Sequence, residues 1–210
     1  ENKIKTELKK NSLILALNIL KYKIKSKLPN NTIKSSKNNV SHHYDIGNDL
    51  YEKMLDKNMQ YTCGYFYKPN MNLNEAQYAK MELVAKKLNL KPGMKILDIG
   101  CGFGGLAYHL ANNYNVFVTG VTLSKEQKKY ANNHFNHPNV NIIIQDYRNT
   151  NGKYDRVYSI GMFEHVGRKN YKEYFDKCYN LLNKDGIMLL HTIGTNRRKW
   201  IHDGFINKYI

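Results

Sequence analysis

From residue 74 onward, apolar positions along the chain switch repeatedly between helical and strand-like spacing, and the switching predicts the architecture. Over residues 74–89, Ala76, Tyr78, Ala79, Leu83, Val84 and Leu88 recur at helical intervals. After a Pro92-Gly93 turn, a short apolar run at 95–99 predicts a buried strand. A helix at 104–113, a strand at 116–121 and a helix at 124–134 follow. Ser124 with Gln127 three positions on is a helix-start pattern. Further strands are predicted at 140–145 and 154–160, a helix at 170–182, a turn at Asp185-Gly186 and a fifth strand at 186–192. Such strand–helix repetition implies an α/β fold: a mostly parallel sheet with helices on both faces. Ahead of it, 45–55 includes a short helix. Residues 4–28, with Ile4, Leu8, Leu15, Ile19 and Leu20 among lysines, read as an amphipathic helix ended by Pro29. Residues 30–40 read as a linker rich in Asn, Ser and Lys. The chain divides into a basic helical and linker segment, 1–40, and a domain at 41–210. That domain is expected to stop before the closing elements of its sheet.

Composition narrows the class. A length of 210 residues, 41% hydrophobic and 24% charged, suits one α/β domain with an extra segment. The net charge of +16 is uneven, with ten Lys and two Glu in residues 1–40. One reading is compositional bias, since Lys, Asn, Ile and Tyr are all abundant. The other is attraction to an anionic surface, either phospholipid headgroups or nucleic acid. The sequence has no nucleic-acid motif and no aromatic–basic interleaving. The apolar run at 13–20 is too short to span a bilayer and lacks a small-residue cleavage site. Cys63, Cys101 and Cys178 have neither zinc-site nor redox-motif spacing, so no metal site and a reducing cytosol are expected.

The strongest local motif joins the first strand to the first helix after it: Ile96-Leu97-Asp98-Ile99-Gly100-Cys101-Gly102-Phe103-Gly104-Gly105. Glycines there let the backbone approach a ligand, and the helix start favours a carboxylate or phosphate. A dinucleotide fingerprint would place an acid about 20 residues on. Here the second strand ends Thr119-Gly120-Val121-Thr122-Leu123 instead. The D-x-G-x-G-x-G pattern resembles the S-adenosylmethionine motif of Rossmann-like class I methyltransferases.

Further blocks extend the resemblance from about residue 38 to the end. Ser41-His42-His43-Tyr44-Asp45-Ile46-Gly47-Asn48-Asp49-Leu50-Tyr51 resembles the opening signature of cyclopropane-fatty-acyl-phospholipid synthases. Met59-Gln60-Tyr61-Thr62-Cys63-Gly64-Tyr65-Phe66 is similar to their next block. Gly120 to Gln127, Gln145-Asp146-Tyr147-Arg148, Gly161-Met162-Phe163-Glu164-His165-Val166-Gly167 and Leu190-His191-Thr192-Ile193-Gly194 continue the likeness, and Ile206-Asn207-Lys208-Tyr209-Ile210 matches part of one more. The resemblance implies that 41–210 is a methyltransferase catalytic domain. Its reaction adds a methylene carbon from S-adenosylmethionine across the cis double bond of an unsaturated phospholipid acyl chain.

That chemistry sets requirements. An alkene is a weak nucleophile and attacks the sulfonium methyl only when the two are aligned and dry. The resulting carbocation must lose a proton before the ring closes. The family resemblance implies a bound bicarbonate as base, held by Cys63, Glu164, His191 and the backbone of Ile193, with one further Tyr beyond residue 210. It implies cofactor contacts from Gly100, Gly102 and Gly104 at the methionine part, with Asp98 orienting the turn and Tyr61 and Thr62 covering the methionine end. Thr122, Leu123 and Gln127 are expected at the ribose, and Asp146 and Tyr147 at the adenine. Tyr44, Tyr65 and Phe66 are candidate walls of an acyl tunnel. Each has a plainer alternative: Cys63 as a buried apolar residue, His191 as a structural histidine, Asp146 as a loop cap, the aromatics as core.

The Lys-rich start, with Trp200-Ile201 and Phe205-Ile206, suits an anionic membrane surface. The expected location is therefore cytoplasmic, peripheral at the inner face of the membrane, with no nucleic-acid partner. A homodimer is left open. Competing activities are N-methylation of a small amine, as in plant alkaloid N-methyltransferases that share several blocks, and methyl branching of the acyl chain.

Overall fold

The computed structural model describes residues 48–194. The expected helix at 4–28, the linker at 30–40, Tyr44, Trp200 and Phe205 lie outside the described residues. Within them the helices are α1 (Asn48–Met54), α2 (Leu73–Leu88), α3 (Gly105–Tyr114), α4 (Lys125–His134) and α5 (Tyr171–Leu181). The strands are β1 (Lys95–Ile99), β2 (Phe117–Thr122), β3 (Val140–Ile144), β4 (Tyr154–Ile160) and β5 (Leu182–His191). They form one sheet in the order β3-β2-β1-β4-β5, and every neighbouring pair is parallel.

The sheet is covered on both faces because its central strand is apolar on both. Along β1, Ile96 joins a core with Leu88 of α2, Leu110 of α3 and Ala131 of α4. Leu97 and Ile99 point the other way, into a core with Tyr174, Cys178 and Leu181 of α5. Successive strand side chains alternate faces, so one five-residue strand seeds both cores. Each fully buried Leu or Ile contributes about 1.5–3 kcal/mol.

Local signals fix the helix starts. Asn72 and Glu75 form a reciprocal capping box at α2. Ser124 Oγ accepts from the Gln127 amide at 3.2 Å, as the helix-start pattern predicts.

Two expectations need correction. The buried face of α2 carries Ala76, Gln77, Lys80, Met81, Val84, Ala85 and Leu88, whereas Tyr78 is exposed. Two polar side chains therefore sit on the inward face. The fifth strand begins at Leu182, not 186, and ends at His191. Tyr154 pairs with Leu182 and Arg156 with Ile187, so residues 183–186 bulge from the ladder. The expected Asp185-Gly186 turn falls inside that bulge.

The chain order reverses at β1. The path from β1 goes outward through β2 to β3, then crosses back to β4 and β5. The crevice between the carboxyl ends of β1 and β4 is thus the topological switch point, where open α/β sheets bind ligands.

Candidate active site

At that switch point lies a cleft of about 170 Å³. Its floor comes from the end of β1 (Asp98, Gly100, Gly102) and the end of β4 (Ile160, Gly161), and its cover from residues 59–62. The glycine turn takes left-handed φ values of 81° at Gly100, 55° at Gly102 and 84° at Gly104, a region that side-chain-bearing residues rarely adopt. A Cβ on Gly100 would lie 2.7 Å from Met162, and one on Gly104 2.9 Å from Ala131, whereas one on Gly102 would meet nothing within 4 Å. Gly100 and Gly104 are therefore needed by the protein's own packing, and the open side of the turn is at Gly102.

Asp98 is 3% exposed, and its carboxylate accepts the Tyr158 hydroxyl at 2.7 Å. Burial raises its pKa to about 7, and the Tyr158 hydrogen bond opposes that rise. Its hydrogen-bonding partner is thus a strand neighbour on β4. Of the three residues expected at the ribose, Gln127 lines the cleft and Thr122 and Leu123 do not. The Thr122 hydroxyl donates to Gln127 Oε1 at 2.7 Å and accepts the Ser124 amide at 3.2 Å. This locks Gln127 against the cleft wall, with Leu123 half-buried between them in sequence. Asp146 and Tyr147 follow β3, outside the lining of the cleft. Both Asp146 oxygens accept from the Arg148 guanidinium, at 2.8 and 2.7 Å. Burial alone would raise the Asp146 pKa, but the Arg148 hydrogen bonds and charge outweigh it and hold the carboxyl low. Tyr147 packs edge-on against Tyr174.

The cover is a strap that leaves α1 through a tight loop. Asp56 accepts the amides of Asn58 at 3.0 Å and Gln60 at 2.7 Å, and Met59 between them takes φ 52°. The Asn58 carbonyl occupies the place a Gly105 Cβ would take, and Thr62 Cγ2 comes within 2.5 Å of where a Gly161 Cβ would be. Missing side chains at two glycines thus seat the strap over both halves of the switch point. From below, α2 holds it with the two buried polar residues that helical periodicity did not flag. Gln77 donates to the carbonyls of Thr62 at 2.6 Å and Gln60 at 3.3 Å, and Lys80 Nζ donates to Thr62 Oγ1 at 2.7 Å.

Where the strap ends, the four expected catalytic positions come together as two contacts. Cys63 Sγ lies 3.6 Å from His191 Nε2, and the Ile193 amide donates to Glu164 Oε1 at 2.6 Å. Both contacts sit at the carboxyl ends of β4 and β5, where the Gly161 amide also bonds the His191 carbonyl at 2.9 Å. Cys63 is exposed, which excludes its reading as a buried apolar residue. His191 Nδ1 is buried without a protein hydrogen-bond partner among the described residues. The set adjoins the cleft, because Thr62 and His165 line it and neighbour Cys63 and Glu164 in the chain. Tyr65 and Phe66 stand exposed beyond the strap.

Comparison with known proteins identifies the family of the chain. Residues 31–210 match the mycolic acid cyclopropane synthetase family. The chain is 53% identical over 168 residues to the cyclopropane-fatty-acyl-phospholipid synthase of Escherichia coli strain K12, a match covering 80% of this chain and 44% of that protein. A mycolic acid cyclopropane synthase complexed with SAH and CTAB superposes with a TM-score of 0.70 at 39% identity, covering 73% of this chain and 55% of the other. Coclaurine N-methyltransferase bound to N-methylheliamine and SAH gives a TM-score of 0.65 at 28% identity, covering 87% of this chain and 57% of the other. The chain thus spans about half the length of the proteins it resembles.

Proposed function

The chain belongs to the mycolic acid cyclopropane synthetase family, and on that premise we propose that it transfers a methylene group from S-adenosylmethionine to the cis double bond of an unsaturated phospholipid acyl chain. The observation that carries the proposal is the juxtaposition of a glycine-turn cleft with the Cys63–His191 and Glu164–Ile193 contacts at one sheet edge.

The cleft suits the donor. Gly102 leaves its approach open, the strap shields it from water, and the N-terminus of α3 faces the turn with unpaired amides suited to a carboxylate. Bound there, S-adenosylmethionine would supply an electrophilic methyl for the alkene, and the S–CH3 bond would break with its electron pair going to sulfur, which leaves as the thioether S-adenosylhomocysteine. Gln127, held by Thr122, is placed to bind a hydroxyl-bearing part of the donor, and Tyr61 and Thr62 to exclude water from its reactive end.

The second requirement is a base for the proton lost as the ring closes. The donor set fits a small oxyanion: an imidazole at His191 with one unpartnered nitrogen, the Ile193 amide, and a Glu164 carboxyl that can share a proton. Bicarbonate at this set would accept the proton. His191 would orient it by donation, and Glu164 would share the Ile193 amide with it. Cys63 fixes the His191 ring from the strap side.

The lysines of residues 1–40, against two glutamates, favour attraction to anionic headgroups, which would bring the site to its substrate at a membrane surface. Among the described residues no helix is long and apolar enough to cross a membrane. The deciding experiment incubates the full-length protein with unsaturated phospholipid vesicles and isotopically labelled S-adenosylmethionine. A gain of one methylene per unsaturated chain, with a ring in the product, supports the proposal. A methyl branch would assign the related branching activity. Labelled small amines with unlabelled lipid would assign N-methylation, the reading that the likeness to coclaurine N-methyltransferase favours.

A further inference from the structure

Lys80 has no role in the reaction described above, yet it is one of the most deeply buried cations among the described residues, 5% exposed on the inward face of α2. A lysine is seldom placed there without a partner, because removing an ammonium from water is costly. Its partner is the strap: Nζ donates to Thr62 Oγ1 at 2.7 Å. The same Thr62 gives its carbonyl to Gln77, three residues earlier on the same helix face, and its methyl to the clearance at Gly161. Thr62 is thus gripped at hydroxyl, carbonyl and methyl. It lines the cleft, and the next residue, Cys63, meets His191.

We propose that Lys80 is the positioning residue of this site: its ammonium, through Thr62, sets the strap that covers the donor cleft and delivers Cys63 to His191. The proposal rests on reading the cleft as the S-adenosylmethionine site. The titratable groups acting on Lys80 are Asp56 and Cys63, both on the loop that α2 underlies, and both favour its charged form. Burial opposes them and brings its pKa down to about 8. The ammonium that grips Thr62 is therefore lost at mildly alkaline pH, and a hydrogen bond from a charged donor is the stronger kind.

The test is calorimetric titration of the full-length protein with S-adenosylhomocysteine, for wild type, Lys80→Met, Thr62→Val and the double variant, each with a thermal melt. Lys80→Met keeps the stem and removes the charge. The expected result at pH 7 is about tenfold weaker binding in either single variant and no further loss in the double, because both remove one contact. Wild-type affinity should fall between pH 7 and 9 while that of Lys80→Met stays flat, a difference that general loosening of the fold would not give. Restored affinity in Lys80→Arg, which keeps the charge, would agree. Losses that multiply in the double variant, or a Lys80→Met protein that binds as tightly as wild type at both pH values, would overturn the proposal. If wild type itself fails to bind S-adenosylhomocysteine, it is the reading of the cleft that falls.

Discussion

Tyr158 and Asp98, on adjacent parallel strands, share a hydrogen bond of 2.7 Å beneath the glycine turn, and both are buried. The floor of the cleft therefore holds a carboxyl group whose charge is costly. Its pKa of about 7 in the fold, against 3.8 when unperturbed, means that the folded chain binds more protons than the unfolded chain between those values. The stabilisation is complete below about pH 4 and is lost as pH rises through 7. Asp98→Asn should flatten this slope. At pH 8 the variant should melt at least about 2 °C above wild type, and the advantage should disappear near pH 4. Melting curves from pH 4 to 8 without ligand check it.

Lys80 gives a slope at the other end of the scale. Its pKa in the fold is about 8, below the unperturbed 10.5. The unfolded chain then binds more protons between those values, so this group's contribution to stability rises from pH 8 to 10.5. The melting temperature of wild type relative to Lys80→Met should climb across that interval. Affinity for the donor should move the opposite way.

Glu164→Gln retains an oxygen that can accept the Ile193 amide, so the end of β5 should stay in place. The variant should bind S-adenosylhomocysteine within about threefold of wild type and lose at least about 100-fold in ring formation, the usual scale for a lost proton-transfer group. Chromatography of extracted acyl chains measures the second figure.

Gly100 and Gly102 should fail differently. Gly100→Ala places a Cβ 2.7 Å from Met162 as well as at positive φ, so it should lower the melting temperature more than Gly102→Ala, which meets no atom. The strain of Gly102→Ala alone should cost about 1 kcal/mol. Gly102→Val should fold but lose S-adenosylhomocysteine binding, since its side chain fills the open side of the turn. Melts and titrations on the three variants separate strain from obstruction.

If the lysines of residues 1–40 hold the protein to anionic bilayers, sedimentation with phosphatidylglycerol vesicles should exceed that with neutral vesicles at low salt. The excess should vanish at about 0.5 M salt, where charges are screened within a few ångströms. Equal sedimentation with both vesicle types would remove the membrane from the proposal.

The strands were legible in the sequence because short stretches rich in Ile, Leu, Val and Tyr are bounded by turns: the spans at 95–99 and 154–160 match β1 and β4, although β4 also carries Asp155, Arg156 and Ser159. The bulge in β5 was not legible, because Asn183-Lys184-Asp185-Gly186 has turn chemistry whether the chain leaves the sheet or swings out and returns. Cys63, Glu164, His191 and Ile193 were legible as motif members, and the topology brings them to one edge. The arrangement at Asp146 was not, since nothing in Gln145-Asp146-Tyr147-Arg148 says that the guanidinium folds back on the carboxylate. Gln77 and Lys80 were hidden for a different reason. A periodicity reading sorts polar residues to the solvent face, and these two point inward because they serve the strap.

Gly105 opens a helix, where propensity scales favour alanine by about 1 kcal/mol. An effort to make this protein more heat-resistant would choose that exchange early. The Asn58 carbonyl already fills the space the new methyl group needs. The substitution would drive its methyl into backbone, so it would evict the loop that roofs the cleft, and the small gain in helicity of α3 would be outweighed: melting temperature and ligand binding should fall together.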